Sequence, residues 1–202
     1  MALIPIEEGS MTDYILYQGS GITIAQTDEA LTAVPYGPQT HDDGDQNHGW
    51  VDLRDHPERV ASIPEAQKSA GLAALLGDLA EPGALMTSGC ECGLFAGNAE
   101  MAHAHYVGGY IDVMFRDGAL NTPETLYAAL EQWLPGVPPP AVGVHYGYEF
   151  IIQPLRNFFG QRDRFSVMVK PIGCGNTPDQ AWAAFDAACL ALEMGYRATR
   201  TG

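Results

Sequence analysis

The sequence predicts an α+β domain: an antiparallel sheet with helices on one face, built from two β-β-α units at about residues 84–134 and 141–194, after an N-terminal hairpin and helix. Three observations predict it. Tyr110–Leu134 lies on Phe165–Cys189 without gaps, so that Gly118 meets Gly173, Asn121-Thr122-Pro123 meets Asn176-Thr177-Pro178, and Ala128-Ala129 meets Ala183-Ala184. Each copy follows a pair of extended runs of hairpin length. Each ends in a helix with one apolar stripe, Leu126, Leu130, Trp133 and Leu134 in the first, and Trp182, Phe185, Cys189 and Leu192 in the second. The repeat reads as an internal pseudo-repeat within a single domain of residues 11–202.

In chain order, residues 1–10 read as a leader outside the fold, disordered or not native, with Met11 as a natural start. Tyr14–Gln18 and Ile22–Gln26 flank Gly19-Ser20-Gly21 and read as a hairpin. Residues 27–31 read as one helical turn, stopped before Pro35. Residues 36–49 have no hydrophobic period and read as a long loop, a class that is commonly functional. Asp55-His56-Pro57-Glu58 and Ser62-Ile63-Pro64-Glu65 have capping-box spacing, and the second predicts a helix over about 64–79 with Leu72, Leu75, Leu76 and Leu79 inward. The first unit pairs 85–96 with 101–116. Residues 135–140 are a stiff Pro-rich connector, and the second unit pairs 142–154 with 164–171. Thr122 and Thr177 are the expected helix caps, each followed by Pro, whose fixed φ suits the first helical position.

Charge narrows the function. The formal charge is −15, and residues 1–60 hold 11 acids against 2 bases, residues 61–150 hold 10 against 2, and residues 151–202 hold 4 against 6. Nucleic acid and anionic membrane both select clustered Lys and Arg, so neither is an expected partner. No export signal is evident, so a cytoplasmic location and free thiols are expected for Cys90, Cys92, Cys174 and Cys189.

One segment has metal-ligand character. Gly89–His105 holds Cys-x-Cys and His-x-His. With a two-residue turn at Gly97-Asn98, Cys92 would oppose His103 and Cys90 would oppose His105, all on one sheet face. Cys90, Cys92, His103 and His105 would then form the ligand set of one structural zinc. A thiol nucleophile at Cys90, or at Cys174 with His145 as base, is the other chemistry these residues could support. His41 and His48 read as exposed loop histidines, and Tyr106, Tyr110, Tyr146 and Tyr148 as sheet-face residues. The sequence carries no phosphate-binding glycine loop, no Gly-x-Ser-x-Gly and no His-Glu-x-x-His.

The resulting expectation is an acidic, soluble binding protein that covers or inhibits a protein partner with a basic surface. It would act as immunity proteins do, by analogy of charge alone. The contact residues would be Asp42, Asp43, Asp45, Asp52 and Asp55. The alternative is a metal-dependent or thiol enzyme centred on the Cys90/Cys92/His103/His105 hairpin.

Overall fold

A computed structural model describes residues 4–5, 14–19, 21–30, 32–40 and 46–200. The strands before the first helix are β1 (Ile4–Pro5), β2 (Tyr14–Gly19), β3 (Ile22–Gln26), β4 (Thr32–Val34), β5 (Gln39–Thr40) and β6 (Gln46–Asn47). A 3-10 turn (Pro57–Ser62) leads into α1 (Pro64–Lys68) and α2 (Ala70–Ala80). The two β-β-α units follow as β7 (Leu85–Ala96), β8 (His105–Phe115) and α3 (Pro123–Trp133), then β9 (His145–Phe158), β10 (Arg164–Gly175) and α4 (Pro178–Arg200).

Both units feed one sheet, in the order β1-β2-β3-β9-β10-β8-β7, with β4 also on β9. The pairs β9–β10, β10–β8 and β8–β7 are antiparallel, while β3 and β4 run parallel to β9. The sheet is therefore mostly antiparallel and mixed at the N-terminal strands. Cross-strand partners share a face. Phe150, Val169, Ile111 and Cys90 lie in one row, facing the helices. This row sits above the main core, which also takes Leu72, Leu75, Leu76 and Leu79 from α2, Leu126, Leu130 and Trp133 from the α3 stripe, and Phe185, Cys189 and Leu192 from α4. The Tyr148 hydroxyl donates to Ala188 O at 3.0 Å, and the Trp133 indole donates to Leu192 O at 2.7 Å, so both large aromatics bury their polar ends satisfied. A side chain at Gly173 would drive its Cβ into the α4 backbone at Phe185, which is why a glycine stands where that helix crosses β10.

The next row along, Ile151, Met168, Asp112 and Gly89, faces away from the helices. On that side Met114 and Leu155 join Val34, Met86 and Phe158 in a second, smaller cluster, with Trp50 packed against it.

The Asn-Thr-Pro joints start α3 and α4 at Pro123 and Pro178, and Thr122 and Thr177 accept from Thr125 N at 3.3 Å and Gln180 N at 3.2 Å. The two asparagines do different work. Asn121 is buried and bonds both ways to Phe115, accepting from its N–H at 2.7 Å and donating to its carbonyl at 3.1 Å. Asn176 instead donates its backbone N–H to the Gln180 side chain at 2.9 Å.

Three local expectations are corrected. Thr27–Ala30 is not helical. Thr27 N donates to Ile152 O at 3.0 Å, which prolongs the β3–β9 pairing and carries the chain to β4. Leu31, the last residue of that expected turn, and Ser20 of the hairpin joint lie outside the described residues, as do residues 41–45 of the long loop. The expected helix over 64–79 is broken at Ser69, whose backbone is extended. Ser69 Oγ caps α2 by accepting from Leu72 N at 3.0 Å and donates to Asp186 of α4, which also accepts from Gly71 N at 3.0 Å. A tertiary carboxylate thus overrides the continuous helical period. The expected caps at Asp55 and Ser62 do not form. Ser62 Oγ donates to Arg59 O at 2.7 Å, and Asp55 pairs with Arg116 at 2.7 Å.

Candidate functional site

β7 is the last strand in the sheet order, and its lower half forms one wall of a cavity of about 250 Å³. The cavity lies between Thr87–Glu91 of β7, the segment Asn47–Leu53, and Ser62–Glu65 at the start of α1, with Tyr36, Leu76 and Tyr110 completing the lining. Local structure explains why it opens here. Thr87 pairs with Val113 and Gly89 with Asp112, so Ser88 is an extra residue, a bulge that interrupts the strand edge. Gly89 has no side chain, and a Cβ there would stand 3.0 Å from the Tyr36 hydroxyl. Tyr36 reaches in from the 32–50 segment toward that gap, and Asn47 lines the same cavity.

The electrostatics are one-sided. Glu65 and Glu91 line the cavity, with His48 as the one basic side chain among the lining residues and no Lys or Arg. Among the described residues neither carboxylate has an ion-pair partner. On the β7–β8 side the sequence has no Lys or Arg from residue 69 to 115, while Arg54, Arg59 and Lys68 flank the other lining segments. Burial pushes the Tyr36 hydroxyl up to about 12, with Cys90, Asp112 and Glu65 adding to the shift. Burial also raises Tyr110, helped by Asp112 and Glu91. Both phenols therefore stay neutral and can donate or accept. Ser88 is 3% exposed, and its Oγ has no hydrogen-bond partner among the described residues.

Asp112 stands beneath this wall, across the strand pair from Gly89. It is 2% exposed, accepts from Gln153 Nε2 at 3.1 Å and Thr32 Oγ1 at 3.0 Å, and burial pushes its carboxyl up to about 7. Gln153 Nε2 also reaches Ser166 Oγ at 3.4 Å, while Gln153 Oε1 is unpartnered.

The predicted metal hairpin is corrected in its register. Cys90 opposes Ile111 and Cys92 opposes Gly109, while His105 opposes Ala96. The joint is not a two-residue turn. It runs from Gly97 to Ala104 and is closed by Gly97 N donating to Ala104 O at 2.8 Å. Cys90 and Cys92 do share a face, but His105 stands four positions along the strand from the point opposite Cys92, a separation of about 13 Å. His103 lies in the loop, its ring 4.7 Å from that of His145. Among the described residues no group of three or more His, Cys, Asp or Glu side chains is placed to hold a metal ion.

The thiols are not activated. Burial lifts Cys90 and Cys189 well above the ordinary thiol value, lifts Cys92 to about 11, and raises Cys174. The structure does bring Cys174 opposite His145, but the thiol donates to the His145 carbonyl at 3.4 Å rather than to its ring. A thiol base pair of the kind that makes a nucleophile is not formed there.

Of the expected contact residues, Asp42, Asp43 and Asp45 lie outside the described residues. Asp52 is held by Arg54 at 2.7 Å, and that side-chain hydrogen bond is the main reason its carboxyl is lowered. Asp55 is held by Arg116, which also donates to Leu85 O, Ala80 O and Glu81 O and so ties the end of α2 to the start of β7. Both acids are paired within the chain, with the Asp55 side chain still 60% exposed. Tyr36, Glu65, Ser88 and Asp112 were not picked out by the sequence reading. The one signal available was Asp112, an acid flanked by apolar residues in mid-strand.

No protein-family model matches the chain, and neither a curated protein nor a solved structure matches it.

Proposed function

We propose that this protein is an acidic binding protein that covers a protein partner, and that its cavity receives one basic side chain from that partner's surface. The observation that supports this is the composition of the lining: two carboxylates without ion-pair partners among the described residues, two neutral tyrosines, His48 and no Lys or Arg. An ammonium or guanidinium entering it would gain charge attraction from Glu65 and Glu91 and a ring face from Tyr36 or Tyr110. The Asn47 amide, which lines the cavity, would supply a further polar contact. A volume of about 250 Å³ is on the small side for a drug-sized ligand and suits a single long side chain. The net charge of −15 would steer a basic surface toward this face at low salt.

The test uses acetyl-arginine amide and acetyl-lysine amide as probes, with acetyl-norleucine amide as the uncharged control, followed by amide NMR shifts. The basic probes should move Gly89, Cys90 and Glu91, weaken on going from 20 to 300 mM salt by the screening expected of charge attraction, and lose their effect in the Glu65→Gln/Glu91→Gln double variant. An equal response to norleucine, or an unchanged response in the double variant, would overturn the reading.

A further inference from the structure

The cavity is continuous with a bare strand edge. β7 ends the sheet, and among the described residues no strand pairs with its outer side. Its lower half, Thr87–Glu91, lines the cavity. Beyond it Gly93, Leu94, Phe95 and Ala96 are exposed, with Leu94 at 44% and Phe95 at 41%. A Cβ added at Gly93 would meet nothing within 4 Å, so the sheet face is open at this point of the strand. Unpaired edges with exposed apolar side chains are templates for another strand, and proteins ordinarily blunt them with lysine or proline. Here the Ser88 bulge and Glu91 interrupt the edge, and α1 lies beside Cys92, whose thiol donates to Glu65 O at 3.8 Å.

We propose that the edge of β7 from Glu91 to Ala96 receives an extended, basic segment of the partner as an added strand, with one of its Lys or Arg side chains turned into the adjoining cavity. The inference rests on the binding reading above and adds the manner of docking. Six residues of strand span about 20 Å, enough for a row of main-chain hydrogen bonds. Charge selects the occupant. Residues 91–96 of the edge carry Glu91 and no Lys or Arg, with Lys68 the nearby cation that acts on Cys92. A second copy of this chain would bring another −15 against the same edge and leave Glu65 and Glu91 uncompensated.

The experiment uses the intact protein and an acetylated, amidated heptapeptide of alternating Arg and Val. A second peptide has the same side chains with every backbone nitrogen methylated, which keeps the charge and removes the donors. The parent peptide should bind at least tenfold more tightly than the methylated one and slow amide exchange within residues 91–96. Leu94→Lys, on the exposed part of the edge, should weaken the parent peptide about tenfold and leave the acetyl-arginine amide response unchanged. Equal binding of the two peptides without protection of 91–96 would overturn strand addition and leave the cavity reading standing. So would binding of acetyl-arginine amide without binding of either peptide. Concentration-dependent protection of 91–96 in the absence of peptide would assign the edge to a second copy and overturn the proposal. Failure of acetyl-arginine amide as well as both peptides would remove both readings.

Discussion

Replacing Asp112 with Asn should make the protein more stable at pH 8 and remove part of its pH dependence. The carboxyl is buried and titrates near 7 in the folded chain, against about 3.9 in an unfolded one. Between those values the folded state holds a proton that the unfolded state has lost, so stability falls as pH rises through this window and levels off above 7. Integrating the two titrations gives a penalty of about 1–2 kcal/mol at pH 5 and about 4 kcal/mol at pH 8. The Asn variant carries no such charge. Its amide can keep one acceptor for Gln153 or Thr32, and a rotated Gln153 amide would bring its unpartnered Oε1 to the new NH2. Urea unfolding at pH 5 and pH 8 should therefore show the wild type losing roughly 2–3 kcal/mol more than Asp112→Asn between the two. Histidines and the other carboxylates titrate in both proteins and cancel in the difference. Identical losses in the two proteins, or an Asp112 carboxyl carbon titrating with a midpoint below 4.5 by NMR, would refute the argument.

Ser69→Ala removes the α2 cap and leaves Asp186 without one donor, so unfolding free energy should drop by about 1–2 kcal/mol. Gly173→Ala places a Cβ inside the α4 backbone, and thermal unfolding should show a loss of about 2–3 kcal/mol or a failure to fold. With every thiol held up by burial, iodoacetamide should label the native protein slowly at pH 7.5, and the rate should climb with pH without a plateau below 9. A plateau near neutrality would mean an activated thiolate. Asp55→Asn should change stability by no more than about 1 kcal/mol, because its side chain is 60% exposed; Arg116→Ala should cost more, since it abandons three part-buried carbonyl partners as well.

The two β-β-α units were legible because their signals are local. Thr-Pro at a helix start and an apolar stripe act within a few residues, and both helices begin where the repeat put them. Ser69 was not legible, since its break is imposed by Asp186, far along the chain on α4. Hairpin register failed for a related reason. Gly97-Asn98 has the composition of a tight turn, but Gly97 closes onto Ala104, and every cross-strand pair of the expected metal block shifted with it. The cavity is further still from sequence logic. It gathers Tyr36, Glu65, Ser88 and Tyr110 from four separate stretches, and no spacing rule joins them.

The position of β9 has a consequence for the order in which the chain can be completed. β2 and β3 pair with each other, but β3 and β4 find their remaining strand only in β9, whose residues follow both α3 and the whole first unit. On a ribosome the first unit can close its hairpin and helix as it emerges. The N-terminal ribbon must wait, with one side unsatisfied, until His145–Phe158 leaves the exit tunnel. A nascent chain stalled before that point therefore presents a sticky ribbon to chaperones, and one stalled after it does not.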